Sequence, residues 1–251
     1  MSYAKRVWLT VLAVSLGAGP VSADIPEKFT NLKELNPEIS RDDLIATMRQ
    51  FSTALGVRCN FCHMQAENSD ELDFAADGKE EKDAARVMMR MTKVINGDWI
   101  SKVAEEGHPS VQVECVTCHR GQPHPRLIED VLADAYTAGG FDSLQTKYAE
   151  LRNRYYGSQT FDFSDRMLSE LGHQIGGDDA SIPVRLAELN VQWSPESSMA
   201  YVYLAMAHSE ADDVEQAKAD IAKALELDPK NRWAMRLREQ LDAPPGQHDE
   251  H

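Results

Sequence analysis

Two pentapeptides in this chain share the pattern Cys-x-x-Cys-His, the first from Cys59 to His63 and the second from Cys115 to His119. A two-residue gap places both sulfurs on one helical turn, where they can bond the two vinyl groups of one haem, while the adjacent histidine nitrogen reaches the iron. The pattern therefore predicts two covalently bound haem c groups, with His63 and His119 as the proximal iron ligands. The predicted thioether links use every cysteine of the chain: Cys59, Cys62, Cys115 and Cys118.

Paired cysteines also have other chemistry. A thioredoxin-like redox dithiol needs a strand-to-helix context and gains nothing from a following histidine. Four cysteines can also bind one zinc ion, or form two disulfides in an exported chain. The histidine directly after both pairs favours haem attachment over all three.

The distal side of each iron needs a second ligand, for which methionine and histidine are the usual residues. Met48 lies 11 residues before Cys59 on the apolar face of a predicted helix. We therefore predict Met48 as the distal ligand of the first haem, with core packing as the alternative interpretation. For the second haem we predict Met88, with Met91 as the alternative, because the two lie three residues apart on one helix face.

Three further side chains near the motifs have a weaker claim to bind iron. His108 and His124 are alternative ligands of the second haem, although a turn and a proline-flanked loop favour surface positions for them. Met64 directly follows His63 and so belongs to the proximal side. No catalytic residue is predicted, because a filled sixth position leaves little room for a substrate at the iron.

Helices must position these residues. A helix over 42–55 is predicted from the capping pattern of Ser40 and Asp43, and Gly56 is expected to end it. No strand pattern appears up to the second motif, and the acidic stretch 67–77 is expected to be a surface loop. The fold class is therefore predicted to be mostly α, a haem-packed helical domain followed by a helical tail. Further helices are predicted over 80–96, 98–106, 126–136, 144–156 and 164–171.

The C-terminal part resembles a repeat protein. Residues 198–231 match one 34-residue tetratricopeptide unit, and 232–241 match the solvating helix that ends such arrays. One unit cannot bury its own apolar face, so this region is expected to dock on the rest of the chain or on a partner. The predicted organisation is a signal peptide (1–23), a two-haem domain (24–130), a helical connector (131–177), the tetratricopeptide-like region (178–243) and a disordered tail (244–251).

The N-terminus has the pattern of a secretory signal. Lys5 and Arg6 precede an apolar run over 7–16, and Val21-Ser22-Ala23 supplies a small-residue cleavage site. The mature chain is expected to begin at Asp24, to be periplasmic or otherwise exported, and to have no integral membrane span. Retention of the signal as an anchor is the alternative.

The formal net charge of −15 bears on which partners the chain can bind. An acidic surface of this size repels nucleic acid and anionic lipid, and it favours basic docking surfaces on redox partners, or solubility alone.

The motifs and the helix between them resemble a known family. The spacing from Met48 to the first motif, the segment 85–96 with its three methionines, and the sequence Cys-Val-Thr-Cys-His-Arg-Gly at the second motif resemble one two-haem half of the cytochrome subunit of photosynthetic reaction centres. In that family each haem lies parallel to a helix that supplies an axial methionine, which implies Met48 for the first haem and Met88 or Met91 for the second. The family subunit usually holds four haems, whereas this chain has two motifs.

The expected function is electron transfer between redox partners, with two haems close enough for direct exchange. Two different functions are compatible with the same motifs: a two-haem peroxidase, which needs one open iron, and a haem-based sensor or assembly factor, in which the tail has the main role.

Overall fold

The computed structural model describes residues 28–105 and 111–243. The predicted signal peptide, the predicted disordered tail and His108 lie outside these ranges. The described chain is mostly helical, as predicted. Among the described helices, none has the length and apolar character needed to cross a membrane.

The first helix, α1 (Arg41–Leu55), has the predicted ends. Ser40 caps it, because its side-chain oxygen accepts a hydrogen bond from the Asp43 amide at 3.1 Å. Gly56 ends it in the left-handed conformation with φ of 67°, where a residue without a Cβ is favoured. Both capping predictions are confirmed.

Between α1 and the next long helix the chain forms short elements. A 3-10 helix covers Cys59–Phe61, and two-residue strands β1 (Met64–Gln65) and β2 (Leu72–Asp73) pair antiparallel. The sequence shows no strand pattern of any length before the second motif, and this two-residue hairpin is an addition to the mostly helical fold that it predicted. Strands of two residues contain no alternation by which a sequence pattern could reveal them.

The helix α2 (Glu80–Val94) continues without a break into a π-helical turn (Ile95–Ile100) and then α3 (Ser101–Glu105). Asn96 in the π-helical turn binds the backbone of Val113 twice. Its amide donates to the Val113 carbonyl at 2.9 Å, and its oxygen accepts from the Val113 amide at 2.8 Å. This pair of bonds ties the end of α2 to the segment that leads into the second motif.

The second motif forms the short helix α4 (Cys115–His119). The chain divides into two compact units between Thr117 and Cys118. In the C-terminal unit, α5 (Ile128–Tyr155) is interrupted by non-helical backbone at Gly139 and Gly140. This break agrees with the two helices predicted here on either side of a glycine-rich break.

Side chains of α5, α6 (Asp165–Gly176) and α7 (Ser181–Trp193) form one continuous apolar core. Its largest fully buried side chains include Tyr148, Leu132, Leu168 and Leu186. The predicted domain boundary at 177–178 lies between α6 and α7, which contribute to the same core, and this boundary stays a prediction.

Three helices complete the C-terminal unit: α8 (Ser198–Glu210), α9 (Val214–Leu227) and α10 (Arg232–Asp242). The small residues Ala205, Ala217 and Ala224 are buried where these helices meet. These helices follow the predicted segments, while their assignment to the tetratricopeptide family stays a prediction.

Candidate functional site

The first Cys-x-x-Cys-His motif lies on the 3-10 helix and the residues that follow it. Cys59 is exposed, and Cys62 and His63 are half-buried. The His63 amide donates to the Cys59 carbonyl at 3.0 Å, so the motif closes one compact turn. The two thiols and the imidazole of this motif thus belong to one local turn of the backbone.

The His63 ring is held against the β1–β2 hairpin. It meets the Phe74 ring edge-on, with the centroids 5.0 Å apart. Burial lowers the pKa of His63, and the Lys82 ammonium lowers it further, although the nearby Phe74 backbone opposes this. A lowered pKa keeps the imidazole neutral at physiological pH, which is the form that binds a metal.

The Nδ1 atom of His63 is buried and has no hydrogen-bond partner among the described residues. Buried polar atoms in proteins nearly always have a partner, so an orphaned imidazole nitrogen is typical of a ligand-binding position.

The Cys62 thiol does not have the properties of a redox-active cysteine. Burial raises its pKa, and the Glu81 carboxylate raises it further. Reactive dithiols depend on a lowered thiol pKa, because the thiolate is the nucleophile. The environment of Cys62 therefore disfavours the dithiol interpretation.

The second motif is helical throughout, and His119 is half-buried. The Nδ1–H group of His119 donates to the Gln122 carbonyl at 2.8 Å. Since a carbonyl only accepts, the hydrogen of this bond lies on Nδ1, and in the neutral ring the lone pair is then on Nε2. This hydrogen bond holds the His119 ring in one orientation and leaves Nε2 available to bind a metal.

Among the described residues, no group of three or more His, Cys, Asp or Glu side chains is placed to hold a metal ion, and no disulfide is formed. The four cysteines stay in two separate pairs along the chain.

The methionines near the first motif differ in their surroundings. Met48 is half-buried on α1, on the same helix as the buried Leu44. Met64 lies on β1 with its thioether against the backbone of Gly78. The role of Met48 as distal ligand of the first haem stays a prediction.

An apolar stripe runs along the solvent-exposed face of α2. Its four largest side chains are each 40–51% exposed: Val87, Met88, Met91 and Val94. Full burial of such a side chain is worth roughly 1.5–3 kcal/mol. The stripe therefore offers apolar surface that an apolar group could cover. Met88 and Met91 are almost equally exposed, so the structure does not choose between them.

The opposite face of α2 is charged and tightly held. Arg86 is buried and binds Asp77 at 2.8 Å and Asp83 at 2.7 Å. Lys82 donates to the carbonyls of Phe74, Ala75 and Ala76 at 2.7–3.1 Å. These contacts fix which face of α2 turns away from the hairpin. The sequence pattern did not single out Asp77, because it lies in an acidic loop without periodicity.

The remaining candidate ligands have weak structural support. His124 is exposed and lies in the loop after α4. His108, the second histidine considered for the second haem, lies outside the described residues.

The residues present fit a haem at each motif. Each motif offers two thiols and an imidazole. The buried His63 Nδ1 and the exposed apolar stripe on α2 are features that a large apolar cofactor with a metal centre would satisfy.

Comparison with known proteins gives a consistent result. The family described as "Photosynthetic reaction centre cytochrome C subunit" matches residues 19–151, which is more than half of the chain. The chain is similar to the photosynthetic reaction center cytochrome c subunit of Thermochromatium tepidum, with 31% identity over 108 residues, 43% of this chain and 24% of the relative.

Two further relatives match shorter segments. The subunit of the same name from Rubrivivax gelatinosus is 39% identical over 70 residues, 28% of this chain and 16% of the relative. Cytochrome c-554 from Chloroflexus aurantiacus is 35% identical over 79 residues, 31% of this chain and 17% of the relative. The matched segments thus span a quarter or less of each relative's own length.

Proposed function

Because this chain belongs to the photosynthetic reaction centre cytochrome c subunit family, we propose that it is a two-haem c-type cytochrome that carries electrons between redox partners outside the cytoplasm. The proposal includes export after removal of residues 1–23. The observation that carries it is the apolar stripe of α2 together with two complete Cys-x-x-Cys-His motifs.

The contrast between the two units supports a haem-packed N-terminal domain. Among the described residues up to Thr117, Leu44 and Ala54 are the only buried apolar residues. Helices of this length are stabilised mainly by burial of an apolar face. Haem packed against α1 and α2 would supply the apolar surface that this unit's own side chains provide only in small part.

Each proposed role follows from the chemistry of the side chain. The cysteines would form the thioether links, and His63 and His119 would bind the irons as proximal ligands. Met48 would be the distal ligand of the first iron, and Met88, or else Met91, that of the second. When bound, haem supplies an iron that alternates between the ferrous and ferric states.

The C-terminal unit is proposed to dock the partner. The net charge of −15 favours a partner with a basic docking surface. In the proposed organisation, residues 24–130 hold the haems, residues 131–177 connect this domain to the C-terminal region, and residues 178–243 bind the redox partner.

Visible and near-infrared spectra of the purified holoprotein test the proposal. Two low-spin, six-coordinate irons with a thioether-to-iron charge-transfer band, unchanged by peroxide, are expected. One high-spin iron that reacts with peroxide would instead identify a peroxidase and overturn the assignment as a carrier.

A further inference from the structure

A threonine of the C-terminal unit binds the turn directly behind His119. Thr160 lies between α5 and α6, and its Oγ1 donates to the Arg120 carbonyl at 2.7 Å. The Thr160 carbonyl in turn accepts from the Gln122 side-chain amide at 3.4 Å. Two hydrogen bonds from one residue therefore hold both ends of the three-residue turn.

The backbone of this turn has an uncommon conformation. Arg120 has φ of 47° and Gly121 has φ of 87°, so two consecutive residues are left-handed. For a residue with a Cβ, such as Arg120, this conformation is uncommon. A Cβ built on Gly121 would lie 3.3 Å from Thr160 Oγ1, so the turn also packs closely against Thr160.

The turn determines the state of the His119 ring. It brings the Gln122 carbonyl to the Nδ1–H group of His119 at 2.8 Å, and the Gln122 amide donates to the His119 carbonyl, also at 2.8 Å. A hydrogen bond at this position fixes the tautomer and orientation of an iron-binding histidine and raises its basicity.

We propose that Thr160 is a positioning residue, which sets the strength of His119 as an iron ligand by holding the Arg120–Gln122 turn. The proposal rests on the proposed function, since it takes a haem at the second motif as given. Thr160 lies beyond the residues 19–151 that match the family. The C-terminal unit would then tune the second haem as well as bind a partner.

The direction of the effect follows from the ligand. A more basic imidazole stabilises ferric iron, so the intact turn lowers the reduction potential of the second haem. Loosening the turn should raise that potential. At the first motif, Nδ1 of His63 has no such hydrogen bond among the described residues, so the effect is expected at the second haem.

Redox titration of three variants tests this in the holoprotein. Thr160→Val should shift one of the two midpoint potentials upward and leave the other unchanged. Thr160→Ser keeps the hydroxyl and should restore the parental value. The matched control is Thr146→Val, because Thr146 Oγ1 also donates to a backbone carbonyl, that of Asp142 at 2.8 Å, but on α5 away from the turn. The control should move neither potential.

Assignment of the shifted potential uses a chain with Cys59→Ala and Cys62→Ala, in which the second motif alone can attach haem. An unchanged potential in Thr160→Val, an equal shift of both haems, or an equal shift in Thr160→Ser overturns the proposal. If Thr160→Val does not fold, Gln122→Leu removes the other link while keeping the Gln122 carbonyl. It should raise the same potential, and no shift contradicts the proposal.

A second readout is independent of haem. Nitrogen-15 NMR of the haem-free chain, whose C-terminal unit has an apolar core of its own, should find His119 as the Nδ1–H tautomer, with the signal assigned by its loss in His119→Gln. Thr160→Val should mix the two tautomers. The Nε2–H tautomer in the parent chain overturns the positioning role, whereas a mass without attached haem overturns the proposed function and leaves this measurement valid.

Discussion

The two histidines that follow the cysteine pairs are held differently. His119 donates from Nδ1 to a backbone carbonyl, whereas Nδ1 of His63 has no partner among the described residues and the ring packs against Phe74. Identical pentapeptide patterns therefore lead to inequivalent ligands. This difference comes from the residues after each histidine, a strand in one case and a left-handed turn in the other.

Replacement of Met48 tests the distal ligand of the first haem. Met48→Leu keeps the size and apolar character of the side chain but removes the sulfur. We expect one of the two irons to lose thioether ligation and become high-spin, while the other is unchanged. Magnetic circular dichroism measures this directly. The control is Met64→Leu, because Met64 packs on Gly78. Retention of both thioether ligands in Met48→Leu would refute the assignment.

Met88 and Met91 require a paired comparison. Met88→Leu should remove thioether ligation from the second iron. Met91→Leu should keep it and change only the packing, which is seen as a small shift of the absorption bands. The same spectra decide between the two residues, since the opposite pattern would identify Met91 as the ligand. Loss of ligation in neither variant would exclude both residues.

At the scale of elements, α2 has two faces with separate tasks. Lys82 and Arg86 attach one face to the 74–77 loop. The apolar stripe occupies the other face. The loop contacts thus determine the direction in which the stripe points, and so connect the charge network to the candidate haem site.

Stability in acid should depend on Asp77. The Arg86 guanidinium and the Lys33 ammonium hold the pKa of the Asp77 carboxyl far below its usual value of 3.8. A lowered folded-state pKa contributes stability that is complete above the unfolded-state pKa and declines as pH falls below it. Asp77→Asn should therefore lower the unfolding free energy at pH 7 and flatten its decline as the pH falls below about 4.

Urea unfolding at a series of pH values measures this dependence. The control is Asp142→Asn on α5, because Asp142 forms no ion pair among the described residues and should leave the profile as in the parent chain. A parental profile for Asp77→Asn would contradict the role given to the network.

The apolar stripe can be tested separately from the ligands. The double variant Val87→Asn and Val94→Asn should destabilise the haem-loaded chain by roughly 2 kcal/mol. The haem-free chain should change little, because contacts within the protein leave both side chains about half exposed. Denaturant unfolding of both forms gives the two values. Val214→Asn, at 40% exposure on α9, is the control. Equal destabilisation of both forms would show that the stripe packs only on protein.

Local signals predicted the elements with strong caps and failed for the others. Ser40 and Gly56 set the ends of α1 because their hydrogen bonds are formed within a few residues. The π-helical turn Ile95–Ile100 was predicted only as ordinary helix. A π-helical turn differs from an α-helix in its backbone hydrogen-bond pattern, which apolar periodicity does not encode. In this turn Asn96 also forms hydrogen bonds with the backbone of Val113.

At the scale of the molecule, the two units differ in how they are stabilised. The C-terminal unit has a core of its own around residues such as Tyr148 and Leu186. Among the described residues the N-terminal unit buries few apolar side chains. The apolar periodicity of α2 predicted a helix that must pack against something, but its partner cannot be read from the pattern, because a haem and a protein core select similar side chains.

The cysteines and histidines of the candidate site could be predicted from the sequence, whereas the residues that position them could not. The cysteines and histidines follow from a five-residue pattern that needs no tertiary information. The support of His119 by Thr160 joins residues 41 positions apart through a turn, and no local signal marks such a contact. For the same reason the sequence did not decide between Met88 and Met91.

Intact mass spectrometry tests the central claim most directly. The chain is produced with its native N-terminus in a host that attaches haem outside the cytoplasm, and its mass is measured after acid denaturation, which leaves thioether-linked haem in place. We predict the mass of the chain from Asp24 plus two haem groups, and one haem fewer when Cys59 and Cys62 are both replaced by alanine. A parental mass without attached haem, under conditions in which a known c-type cytochrome is matured, would contradict the account.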